Sequence, residues 1–156
     1  MPLVKTPYDE LCYKVIGAAM DVHNALGPGH KERFYQRALS KRLTELTIPF
    51  VGEQAIEIHF EGEFLGLLYM DHLIADKVIV EEKALSHLLT NEETAQVITY
   101  LAATGKSVGL LFNFGRKRLE YKRIFPPKRL EGWQNRIQRY LWHPTPDQRG
   151  PNAARE

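Results

Sequence analysis

Asp71, followed ten residues later by Glu81-Glu82-Lys83, has the residue types and spacing to do chemistry. Alternate side chains of a strand share a face, so on an extended segment Glu81 and Lys83 project together while Glu82 points away. If Asp71 lies on a neighbouring hairpin strand, it sits beside Glu81, and two carboxylates and a lysine share one end of a sheet. That grouping suits a hard divalent cation. Mg2+ takes one or two carboxylates and keeps several waters for a substrate phosphate to replace. The ion would polarise a phosphoryl oxygen, and the ammonium would stabilise charge developing on the phosphate. An ordinary ion pair at strand ends accounts for the same spacing.

A sheet must hold these residues, and the pattern supplies one. Leu11, Val15, Ala18, Ala19, Val22 and Leu26 recur at helical steps, and Gly27-Pro28-Gly29 stops the helix. A second helix is expected from about His30 to Leu46, with Phe34, Ala38 and Leu39 facing the core. Residues 51–60 and 63–74 read as a hairpin turning at Glu61-Gly62, and Asp76-Lys77 turns the chain into the β-branched run Val78-Ile79-Val80. Thr90 or Asn91 caps a helix whose first turn holds Glu92 and Glu93, and which stops at Gly105. Strands follow at 108–114 and, along an edge, at 119–125. A helix crossing between two strands makes them parallel. The expected fold is therefore α/β, with a central mixed sheet flanked by helices in the order ααβββαβ and one more strand at an edge.

In this setting the residues resemble a known group. Asp71…Glu81-x-Lys83, after an N-terminal helix and before a helix carrying Gln96, is similar to the PD-(D/E)xK nuclease superfamily. Gly29-His30-Lys31-Glu32-Arg33-Phe34-Tyr35 further resembles the Gly-x-x-Glu-x-x-Tyr signature of its GxxExxY family, as do Gln96–Leu101, Thr104-Gly105-Lys106 and Asn113-Phe114. The resemblance implies a restriction-endonuclease-like core, with Asp71 and Glu81 as metal ligands, the Glu82 carbonyl as a third and Lys83 as the catalytic lysine. It also implies that Glu32 adds a carboxylate from the second helix and that Tyr35 supports it. Gln96 and Tyr100, four apart on one helix face, would touch the water, the metal shell or the substrate. Glu82 stands where the superfamily usually has an apolar residue. It is either exposed at a sheet edge or a further charge beside the site.

Of 156 residues, 44% are hydrophobic and 26% charged, which suits a soluble domain and excludes a disordered, collagen-like or coiled-coil chain. Residues 1–115 carry 10 Lys/Arg against 15 Asp/Glu, and residues 116–156 carry 11 against 4. Lys106, Arg116, Lys117, Arg118, Lys122 and Arg123 are candidate phosphate contacts when taken as a patch; taken singly, they fit a solvated turn and strand face, with some pairing to the acidic body. The single Cys12 permits no internal disulfide, and the histidines show no zinc-ligand spacing, so a reducing, cytoplasmic setting is expected. No apolar stretch is long enough to span a membrane. Residues 1–126 are expected to form the α/β domain and 143–156 a disordered tail. Residues 127–142 are expected to form a helix with Leu130, Trp133, Ile137 and Leu141 on one face, able to join subunits at 130–142. The expected function is a nuclease dependent on Mg2+ or Mn2+, acting on DNA or RNA. The alternative is a non-catalytic nucleic-acid-binding or self-assembling protein on the same scaffold.

Overall fold

In the computed structural model, which describes residues 6–127 and 141–142, two helices come first: α1 (Asp9–Leu26) and α2 (Glu32–Glu45). The strands β1 (Phe50–Phe60), β2 (Glu63–Ile74) and β3 (Val78–Lys83) follow. Then come α3 (Asn91–Thr104), β4 (Val108–Asn113), β5 (Glu120–Ile124) and β6 (Leu141–Trp142). The described strands form one sheet in the order β5-β4-β3-β2-β1-β6. β3 and β4 are parallel, joined through α3, and the other neighbours are antiparallel. This is the mixed-sheet α/β architecture expected from the sequence.

Strand alternation divides the core into two layers. Val78 and Val80 of β3 meet Cys12, Val15 and Ala19 of α1 and Tyr35, Leu39 and Leu43 of α2. Ile79 faces the other way, with Met70, Leu111 and the Val97, Tyr100 and Leu101 side chains of α3. Phe34 is a correction: it is 41% exposed, with the Arg33 guanidinium 5.2 Å above its ring. Tyr35, Leu39 and Leu43 repeat every four residues and take the core-facing stripe, which turns Phe34, one residue earlier, away from it. Ala38 lies half-buried against the same cluster.

Both hairpin turns rest on left-handed backbone. Glu61 and Gly62 form the first, at φ 50° and 84°. The second centres on Ala75 and Asp76, at φ 51° and 59°, one residue earlier than the sequence suggested, with the Lys77 N–H donating to Ile74 O. Thr90 caps α3, and Glu93 returns the bond in a reciprocal capping box. At the C-terminal side, Leu141 and Trp142 pair with Ile58 and Glu57 of β1, so these two residues are strand and not the last turn of a helix. The rest of the expected 127–142 helix beyond Pro127, and the 143–156 tail, lie outside the described residues.

Candidate active site

Asp71 and Glu81 meet where the β2–β3 ladder stops. Its backbone pairs are Ile74–Val78, Leu73–Ile79 and His72–Val80. Past that point side chains take over the pairing, because a buried amide needs an acceptor. The Asp71 N–H donates to Glu81 Oε1 at 2.9 Å, and the Glu82 N–H donates to Asp71 Oδ2 at 2.8 Å. Each carboxylate thus holds the other strand's backbone. Burial, and then the charges of Glu82 and Glu81, push the Asp71 carboxyl far above the usual carboxylate range. Burial likewise pushes Glu81 up, and the Asp71 amide and Lys83 only partly offset it. The pair is short of positive charge.

Lys83 ends β3, and its backbone oxygen accepts from the Phe114 N–H at 2.8 Å. Its side chain lines a cleft of about 720 Å³ together with Glu32, Leu85, His87, Glu93 and Gln96. Glu32 opens α2, and burial raises its pKa while Lys83 lowers it. Gln96 Nε2 donates to Tyr100 Oη at 3.0 Å, and Tyr100 Oη donates to Tyr69 O at 3.0 Å. Burial, followed by Glu81 and Asp71, pushes the Tyr100 phenol up, so this tyrosine stays protonated and anchors Gln96 at the cleft wall. Glu32, Lys83 and Gln96 therefore share one cleft. Asp71, Glu81 and Tyr100 are not among its lining residues, and they lie within electrostatic reach of one another.

Two expectations change here. Glu82 is not exposed at an edge: β3 lies between β2 and β4, and Glu82 is fully buried. Tyr35 does not support Glu32. Its hydroxyl donates to Gly27 O and accepts from the His30 N–H, so it pins the turn between α1 and α2. Among the basic candidates, Arg116, Lys117 and Arg118 lie in the β4–β5 turn, at the same end of the sheet as Lys83. Lys122 is exposed on β5. Lys106 is at the opposite end, with its Nζ 3.2 Å from Asp76 Oδ1. Arg123 is bound to Asp9 and Thr6 and covers the Tyr13 ring. Position therefore takes Lys106 away from the cleft, and Arg123 is held against α1.

The cleft also depends on residues to which the sequence assigned no role. His87 lines it, with Nδ1 2.8 Å from Leu88 O. The 84–90 connection that carries His87 is clamped by Asn113, whose Oδ1 accepts from Leu85 N–H and whose Nδ2 donates to His87 O and Glu120. Glu120 in turn accepts from the Leu89 N–H. A buried asparagine at a strand end implies such partners, although nothing in the sequence says which they are. A Cβ on Gly115 would collide with the Leu85 backbone. Because Asn113 fixes that backbone, Gly115→Ala is expected to cost about 1–3 kcal/mol and to lower the thermal midpoint; an unchanged midpoint would show that the loop yields freely.

The donor set fits a hard cation in part. Among the described residues, no three His, Cys, Asp or Glu side chains are grouped to hold a metal ion. Two carboxylates whose proton affinity is raised by burial and by neighbouring carboxylates are nevertheless the donors that Mg2+ accepts, since water completes its shell. No described helix is long and apolar enough to cross a membrane.

A family model described as the PD-(D/E)XK nuclease superfamily matches residues 9–124. Comparison with curated proteins finds no match, and comparison with solved structures finds none.

Proposed function

The chain belongs to the PD-(D/E)XK nuclease superfamily, and on that premise we propose that it is a phosphodiesterase, dependent on Mg2+ or Mn2+, that cuts DNA or RNA. The meeting of Asp71 and Glu81 at the end of the β2–β3 ladder, beside the Lys83 cleft, carries this reading. Asp71 and Glu81, with the Glu82 carbonyl, would hold the ion. When bound, it would supply Lewis-acid polarisation of a phosphoryl oxygen.

The chain's own residues do the rest. Lys83 places an ammonium at the cleft wall, where it can orient an attacking water and offset negative charge growing on the phosphate. Glu32 lines the same cleft and offers a carboxylate able to accept hydrogen bonds from water. Gln96, fixed by Tyr100, offers an amide to water or to a phosphate oxygen. Arg116, Lys117 and Arg118 are the basic residues best placed to meet flanking phosphates. Membership of the GxxExxY family is part of the same proposal; Glu32 at the cleft and Tyr35 at the Gly27–His30 turn give its signature residues separate tasks. A reducing, cytoplasmic setting and assembly through residues 130–142 complete the reading.

The test is a calorimetric titration of Mn2+ into the parent protein and into Asp71→Ala, paired with cleavage of labelled single- and double-stranded DNA and RNA. Parental binding that Asp71→Ala loses, with cleavage following the same pattern, is expected. A parent that binds no Mn2+ leaves only the non-catalytic alternative.

A further inference from the structure

On the reverse face of the strands that carry the site lies a second polar cluster. His72 follows Asp71 on β2, and Glu82 stands between Glu81 and Lys83 on β3. His72 Nδ1 is 2.8 Å from Glu82 Oε1, and His72 Nε2 is 2.8 Å from the Ser40 hydroxyl of α2. The histidine and glutamate side chains are 2% and 0% exposed, so water does not satisfy them. Neither Glu82 oxygen has an aligned hydrogen bond; the carboxylate lies beside the His72 imidazole and also within reach of the Asp71 carboxyl. Buried polar groups are costly, and in some systems a pair of this kind fixes one arrangement over others.

Its location says which arrangement. His72 pairs with Val80 in the ladder, so Glu82, two residues further along β3, is its diagonal cross-strand neighbour. The contact on this face extends β2–β3 pairing past the last backbone pair, at the level where Asp71 and Glu81 bond each other's strands on the other face. Ser40 fixes the imidazole from α2, the helix whose first residue is Glu32. One relay, buried at His72 and Glu82 and half-buried at Ser40, therefore joins the three elements that carry Asp71, Glu81 with Lys83, and Glu32. It is placed to set the separation of the two carboxylates without touching substrate.

We propose that Ser40, His72 and Glu82 form a positioning relay that holds Asp71 and Glu81 at the spacing a divalent cation requires. This rests on the reading of Asp71 and Glu81 as its ligands. The test is Mn2+ binding by calorimetry together with thermal unfolding, for the parent, Ser40→Ala, Ser40→Thr and the double variant His72→Leu/Glu82→Leu. The double variant replaces both buried polar groups with apolar ones, so it avoids leaving one unpaired and is expected to unfold cooperatively near the parental temperature. It is expected to bind Mn2+ at least about tenfold more weakly, as losses of supporting residues around metal ligands do. Ser40→Ala changes no charge and is expected to weaken binding, and Ser40→Thr, which keeps a hydroxyl, to restore it. Parental affinity in the double variant, or a Ser40→Thr as weak as Ser40→Ala, overturns the relay and leaves the ligands standing. A parent that binds no Mn2+ overturns the ligand reading, and the relay with it.

Discussion

Lys83→Ala is expected to lower metal-dependent cleavage by about 10²-fold or more while leaving the fold intact, the scale seen when a group stabilising transition-state charge is removed. The backbone of residue 83 is held by the Phe114 amide, which the substitution does not touch. The side chain borders the cleft, so its removal admits water instead of opening a dry cavity. The ammonium lies in the field of Glu32, Glu81 and Glu93, lowering the pKa of each. A cation entering beside it meets repulsion. Calorimetry should therefore show Mn2+ bound by Lys83→Ala at least as tightly as by the parent, even as turnover falls. Lys83→Arg keeps the charge but spreads it over a planar fork, and should recover part of the activity. Cleavage by Lys83→Ala at the parental rate would remove lysine from the chemistry.

How far the sequence revealed this site depends on the range of the signals. Glu81 and Lys83 share a side of β3 because of a period of two, which any strand obeys, and the Asp71–Glu81 meeting followed from reading a hairpin. Helix limits were legible from local chemistry: Thr90 and Glu93 cap α3, and Gly105 ends it in the left-handed region at φ 71°. Glu82 was not legible. Alternation placed it opposite its neighbours, but whether that side was solvent or core depended on β4, which pairs with β3 from thirty residues away in the chain. Ser40, His72 and Glu82 come from three elements, and no spacing announces their contact. That some basic residues pair with the acidic body was legible from the charge distribution, but not that Lys106 and Arg123 are among them. Asp76 and Asp9, far from them in the chain, pair with them in the fold. The Asn113 clamp on the 84–90 connection is tertiary in the same sense.

Asp71→Asn should abolish cation binding and cleavage and, at alkaline pH, make the metal-free protein more stable. Ordinary values for Asp71 and Glu81 are 3.8 and 4.5, and in the folded chain the coupled pair is pushed up to about 10 and about 8. The folded state therefore holds its protons more tightly than the unfolded state. The stability this confers is fully present below the ordinary values and is lost as the pH rises through the raised ones. Metal-free parent protein should unfold at progressively lower temperature from about pH 5 to pH 9 as this linkage acts. An asparagine carries no charge, and its carbonyl can still accept the Glu82 amide that Asp71 Oδ2 holds. At pH 8 the variant is expected to gain about 1–2 kcal/mol, or ~3–8 °C in midpoint for a domain of this size, with a flatter pH profile. Mn2+ at a hundred times its Kd should stabilise the parent by about 2.7 kcal/mol and leave the variant unchanged. The cation and the asparagine relieve the same cost of burying negative charge, so their effects should not add. An Asp71→Asn protein less stable than the metal-free parent at pH 8 would mean that the parental carboxylates are already balanced by charges within the fold, and a site so balanced has no call for a metal ion.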